Sequence, residues 1–120
     1  MTSVFLTDVV GQEGPVSPDL LSGRLKITKA ELAAALGLSR ESVSKRDRIA
    51  SVATQRRLRD MIEIINRVLP WAGSELAAFA WYRSQSIPSF GDQTAEDLVS
   101  AGRGEAVKRY LSRIAEGGYA

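Results

Sequence analysis

Val52-Ala53-Thr54-Gln55-Arg56-Arg57-Leu58-Arg59-Asp60-Met61-Ile62-Glu63-Ile64-Ile65-Asn66-Arg67-Val68-Leu69 is the stretch whose reading decides the fold. Leu58, Met61, Ile62, Ile65 and Leu69 fall at i, i+3, i+4, i+7 and i+11, one continuous apolar stripe on a 3.6-residue helix. Ile64 and Val68 widen the stripe, so the spacing predicts a helix over residues 52–69 that is buried on two sides. Pro70 is expected to end it, because proline lacks the N–H that the next helical bond needs. No alternating strand pattern competes with helical periodicity from about residue 17 onward. The expected fold is all-α: a compact bundle of about seven short helices.

Working back toward the N-terminus, Ser39 is placed to cap a short second helix over residues 40–45, with Val43 as its inward anchor. Before it, Thr28-Lys29-Ala30-Glu31 reads as a capping box. The Thr28 hydroxyl accepts from an orphan amide, and the Glu31 carboxylate reaches back. The helix it opens buries Leu32 and Leu36 and stops at Gly37, a residue suited to a left-handed cap. Ser17-Pro18 reads as an N-cap followed by proline at the first helical position, opening a helix through Leu20, Leu21 and Leu25. Residues 1–16 hold the apolar run Val4-Phe5-Leu6, then Gly11, Gly14 and Pro15, and read as an N-terminal arm that orders against a partner.

Working forward, a helix over residues 74–83 presents Leu76, Phe79 and Ala80, with Trp71, Trp81 and Tyr82 alongside. Residues 84–91 read as a loop. Thr94-Ala95-Glu96-Asp97 is a second capping box, with Asp in the acidic position. Its helix buries Ala95, Leu98 and Val99 and halts at Gly102-Arg103-Gly104. A last helix, residues 105–116, puts Val107, Tyr110, Leu111 and Ile114 on one face, ahead of the tail Gly117-Gly118-Tyr119-Ala120.

Composition narrows the function. With 120 residues, 44% hydrophobic and 25% charged, the chain sits near the average for a globular domain. It has no cysteine, which removes disulfides, thiolate metal sites and cysteine nucleophiles. It has no histidine, the commonest acid–base group and imidazole ligand near neutral pH. The expectation is a binding protein and not an enzyme, with no catalytic residue, metal or cofactor. No run approaches the roughly 20 apolar residues of a spanning helix, and residues 1–14 lack the basic start of a secretory signal, so a cytoplasmic location and no membrane contact are expected.

Charge is uneven along the chain. Residues 1–23 carry Asp8, Glu13 and Asp19 and no base, whereas residues 24–67 carry eleven Lys/Arg against five Asp/Glu. The middle therefore attracts an anionic partner. Residues 28–46 have helix-turn-helix form, in which the second helix enters the major groove and flanking bases hold phosphates. Arg40, Ser42, Lys45 and Arg46 are the candidate DNA-binding residues. Glu41 is a poor neighbour for phosphate, and Arg48, Arg56, Arg57 and Arg59 are further available cations. Two capped helices around a glycine turn are also common in any helical bundle. Asp47, Asp60 and Glu63 sit among arginines and read as a solvated, salt-bridged face.

Trp71, Phe79, Trp81 and Tyr82 form an aromatic cluster; for Phe79 the core is the plain reading. Trp81 and Tyr82 are adjacent and point about 100° apart, so they cannot share one narrow stripe. One of the two is expected at a protein or dimer interface. At the other end, an aromatic beside a terminal carboxylate on a Gly-Gly stem is either an ordinary frayed terminus or a plug for a pocket on another protein.

Ile87-Pro88-Ser89-Phe90-Gly91-Asp92-Gln93-Thr94-Ala95-Glu96-Asp97-Leu98-Val99, Gly102-Arg103-Gly104-Glu105-Ala106-Val107, Tyr110-Leu111 and Glu116-Gly117-Gly118-Tyr119-Ala120 resemble the C-terminal domain of the Xre/MbcA/ParS antitoxin family, most closely its ParS-type members. The resemblance covers residues 57–120 and weakens over 20–56, where the family carries an Xre-like helix-turn-helix. Many members have proline at the position of Ala95. The resemblance implies three regions: an arm over 1–16, a degenerate Xre-like helix-turn-helix region over 17–56, and a toxin-binding domain over 57–120. It also implies a cognate RES-domain toxin that consumes NAD, by degrading it or by transferring ADP-ribose. Gly117, Gly118, Tyr119 and Ala120 would cover the toxin's NAD pocket, with Arg109 and Arg113 at its rim and Phe90 in the contact. A homodimer within a toxin–antitoxin hetero-oligomer, and repression of its own operon through operator DNA, complete the implied picture. Its rivals are a helix-turn-helix repressor with no toxin-blocking role and, third, an enzyme working without His or Cys.

Overall fold

The computed structural model describes residues 15–117. Among them are seven α-helices: α1 (Pro18–Leu25), α2 (Lys29–Leu36), α3 (Arg46–Ile49), α4 (Val52–Ala72), α5 (Glu75–Ser84), α6 (Ala95–Ser100) and α7 (Gly104–Ala115). A small antiparallel pair, β1 (Ser86–Ile87) and β2 (Gln93–Thr94), joins α5 to α6. The described residues form an all-α bundle that carries this two-residue ladder.

Local chemistry starts most of the helices. Ser17, Thr28, Ser39, Ser51, Ser74 and Thr94 each accept a hydrogen bond from the amide three residues on. Both capping boxes are complete: the Thr28 and Thr94 amides donate to the Glu31 and Asp97 carboxylates, at 2.9 and 3.0 Å. These return bonds hold the Glu31 carboxyl below its ordinary range, the Thr28 backbone N–H contributing most.

α4 is the axis of the bundle. Leu58, Met61, Ile62, Ile64 and Ile65 are fully buried on it, so the helix is covered on two sides as its pattern requires. α5 and α7 pack along it, and α6 lies against α2, α5 and α7. Burying one such side chain is worth about 1.5–3 kcal/mol, which makes this stripe a leading stabilising element. One hydrophobic core runs from Val16 to Leu111. The expected boundary between residues 56 and 57 falls inside α4, and both sides of it feed this single core.

Four local expectations are corrected. Pro70 lies inside α4, not at its end. It sits in the last turn, so its missing N–H costs one bond, and the helix closes at Gly73, whose N–H donates to the Leu69 carbonyl at 2.9 Å. The second helix over residues 40–45 is instead a four-residue 3₁₀ turn, Arg40–Val43, followed by the separate short α3. Ser39 caps it and Val43 is fully buried as expected, but the chain turns again before a second α-helical turn forms. The loop over 84–91 contains β1 and a 3₁₀ turn at Pro88–Phe90 that Gly91 closes at φ 67°. Finally, Gly104 does not stop a helix but begins α7, where a Cβ would come within 2.6 Å of the Asp60 carboxyl carbon.

Candidate functional site

α7 carries the residues on which the functional expectation rests. Its inward face, Val107 and Leu111, is buried against the core. Lys108 lies on that same face and is only 7% exposed. Its ammonium donates to Asp60 at 2.9 Å and Glu63 at 3.1 Å across the seam, and it pairs with Glu105 one turn back at 2.6 Å. Burial alone would lower the Lys108 pKa. The three carboxylates outweigh it and hold the ammonium well above its ordinary range. Lys108 in turn holds the Glu105 carboxyl low.

This cluster pins α7 to α4. Arg67 of α4 adds a second tie, donating to the Ser112 hydroxyl and, at 3.4 Å, to the Lys108 carbonyl. The ties leave an open cleft of about 370 Å³ lined by Glu63, Arg67, Glu105, Lys108, Arg109, Ser112 and Arg113. The Lys108 charge is already matched by carboxylates. Arg109 and Arg113, four residues apart on one face, are exposed and make no ion pair among the described residues. They are the cations this helix presents outward.

Phe90, expected in a toxin contact, is half-buried on the turn between the strands. Its ring meets Tyr110 edge-on at 5.9 Å, and the Arg103 guanidinium lies over it at 5.7 Å. Phe90 thus touches α7 at the residue after Arg109, on an adjoining side of the helix from the Arg109–Arg113 face. Gly117 is exposed at the end of the described structure, with φ 92°. Gly118, Tyr119 and Ala120, the rest of the expected plug, lie outside the described residues.

The expected DNA-binding residues are not equivalent. Arg40 and Arg46 are exposed and make no ion pair among the described residues. Lys45 faces Glu41 at 3.7 Å, and Glu41 also draws Arg48 at 3.8 Å. Ser42 is buried, with its hydroxyl 3.0 Å from that of Ser39, so it is spent on the turn and faces no groove. Arg57 is likewise not available to phosphate. It donates to the Leu36 and Gly37 carbonyls and so covers the C-terminal end of α2.

Of the aromatic pair, Tyr82 is not an interface residue. It is fully buried, and its hydroxyl donates to the Ala35 carbonyl at 2.7 Å. Burial pushes its phenol pKa well up, with Glu96 and Asp60 adding to the effect. Trp81 is half-buried and packs on the core edge. Trp71 is 51% exposed.

The buried ion cluster was not anticipated. Asp60 reads in sequence as part of a solvated face but is only 7% exposed. Two signals pointed to it. Asp60 recurs with Ile64 and Val68 at four-residue spacing, and Lys108 falls between Val107 and Leu111 on the apolar face of α7. Comparisons with protein-family models, curated proteins and solved structures give no match for this chain.

Proposed function

We propose that this chain is a non-catalytic inhibitor, an antitoxin that binds a RES-domain, NAD-consuming toxin and covers its NAD pocket. The observation that carries the proposal is the presentation of Arg109 and Arg113. They stand on the exposed side of a helix clamped to α4 by Lys108 and Arg67, immediately before the tail over residues 117–120. A rigid cationic helix leading into Gly-Gly-Tyr-Ala suits a surface that rests on the rim of a deep pocket and feeds a thin stem into it. The likeness of residues 87–120 to the Xre/MbcA/ParS antitoxins supports the same reading and supplies the identity of the toxin. On it, the chain works as a homodimer in the cytoplasm, within a hetero-oligomer with its toxin.

The repressor reading is favoured by the exposed side chains of Arg40, Lys45 and Arg46. It is the weaker one, because a 3₁₀ turn with Ser42 buried offers no helix long enough to lie in a major groove.

The test mixes the purified chain with a purified RES-domain toxin and follows NAD loss. The full chain is expected to protect NAD, and a chain ending at Glu116 to lose that protection. Reversing Arg109 and Arg113 to glutamate is expected to weaken protection at least tenfold. Undiminished protection by the shortened chain would remove occlusion by the tail.

A further inference from the structure

The cleft of about 370 Å³ between α4 and α7 has no apolar residue in its lining. Such a lining gives an apolar ligand no anchor and suits a charged one. Its carboxylates are already committed. Glu63 and Glu105, with Asp60 behind them, converge on the Lys108 ammonium at 3.1, 2.6 and 2.9 Å. Arg67, Arg109 and Arg113 stand outside that cluster. All three are exposed, and none makes an ion pair among the described residues.

Two details separate this arrangement from scattered surface cations. Arg67 is held in place, because its Nη1 donates to the Ser112 hydroxyl and, at 3.4 Å, to the Lys108 carbonyl. Its Nε and Nη2 make no hydrogen bond among the described residues. The Ser112 hydroxyl accepts from Arg67 and makes no donation of its own, so its proton is available. The cleft thus offers a pre-set guanidinium, a free hydroxyl proton and two more guanidiniums on the α7 side. The guanidinium fork matches the oxygens of a phosphoryl group, and a donor already fixed loses little freedom when an anion arrives.

The surroundings narrow the anion. Glu63 and Glu105 lie toward the start of α7, and Glu116 is exposed one turn beyond Ser112. These carboxylates would repel the successive phosphates of a nucleic-acid backbone laid along the cleft. A short group that puts its charge between them meets the arginines and avoids the acids.

We propose that this cleft is a binding site for a compact, multiply charged phosphoryl group of the diphosphate class, held by Arg67, Arg109, Ser112 and Arg113. The site rests on this chain's own residues and not on the proposed function. Its test needs no toxin, so either can fail without the other.

The test titrates the full chain with inorganic diphosphate and, separately, with ADP, in salt of roughly 0.15 M to screen diffuse attraction. NMR follows the backbone amides and the arginine Nε–H groups. Saturable shifts at residues 67, 109, 112 and 113 are expected with diphosphate, at a Kd on the order of a millimolar or tighter. ADP binding at least as tightly would assign the site to a nucleotide, and weaker ADP binding to the free anion; both keep it. Sulfate, with less charge, is expected to bind about tenfold more weakly. Joining Arg109→Gln to Arg113→Gln, both at exposed positions outside the seam, is expected to weaken diphosphate binding about tenfold with the fold intact. Shifts spread equally over Arg40, Arg46, Arg56 and Arg59, failure to saturate, equal affinity for sulfate, or undiminished binding by the double variant would each overturn the proposal.

Discussion

Residues 28–49 and the seam between α4 and α7 differ in the range of the side-chain bonds that shape them. In the first, the turns are set from within three or four residues, by Thr28 with Glu31, Ser39 with Ser42, and Gly37 closing α2 at φ 68°, and the long-range ties from Arg57 and Tyr82 go to the last carbonyls of α2. In the second, the ties run from Lys108 to Asp60 and from Arg67 to Ser112, across 48 and 45 residues. Local caps set where helices begin and end but leave their mutual orientation open. The seam sets orientation, and it is the seam that holds Arg109 and Arg113 at a fixed angle. The short, locally built segments of the first region leave its cations on separate turns. The exposed cationic face is therefore more sharply defined on α7 than around Arg40 and Arg46.

The strongest way to break this contrast is Lys108→Met. Methionine keeps the volume and removes the ammonium, leaving the Asp60 carboxylate buried without its cation. Removing one partner of a buried pair costs about 3–5 kcal/mol, so a large fall in the urea midpoint is expected at neutral pH. Adding Asp60→Asn should recover part of the loss, because the uncompensated charge is then gone. A loss below about 1 kcal/mol would mean that the seam is held by apolar packing alone. Alkali is a second probe of the same tie. Lys108 and Tyr82 both have raised pKa values in the folded chain, so their contribution is complete below their ordinary values near 10 and is lost as pH rises through the folded ones. Stability measured by urea unfolding should hold to about pH 10 and fall above it.

The same contrast governs what was legible in the sequence. Caps and stripes could be read because their partners lie within one or two turns: Thr94 with Asp97, and Leu58 with Met61 and Ile62. Asp60 was misread because the arginines beside it in sequence, Arg57 and Arg59, are not its partners in space. Arg57 turns to α2, and the cation that meets Asp60 comes from α7. Which of Trp81 and Tyr82 faces inward could not be read for the same reason: the Tyr82 hydroxyl is satisfied by Ala35, 47 residues away. Pairings of that range leave only an indirect trace, a charge or a phenol sitting on an otherwise apolar face.

An intermediate effect is expected where the first region packs on α6. A Cβ on Gly37 would lie 2.6 Å from the Ser100 Cβ and 2.9 Å from its Cα, at a backbone angle that side chains rarely adopt. The Ser100 backbone cannot swing aside as a long side chain could. Gly37→Ala should therefore cost about 1–3 kcal/mol from overpacking and strain together. It should also separate α2 from α6, which amide exchange at the start of α6 would report as faster opening.

The smallest effect belongs to the caps themselves. Thr28→Ala removes the acceptor for the Glu31 amide at 3.0 Å and leaves an exposed helix end that water can satisfy. A loss of about 1 kcal/mol is expected, read as a small shift of the urea midpoint with unchanged slope. Because Thr28 and Lys108 share no partner, the Thr28→Ala and Lys108→Met losses should add. Strong coupling between them would mean that the N-terminal helices and the seam are not independently built, and the division between local capping and long-range orientation would have to be given up.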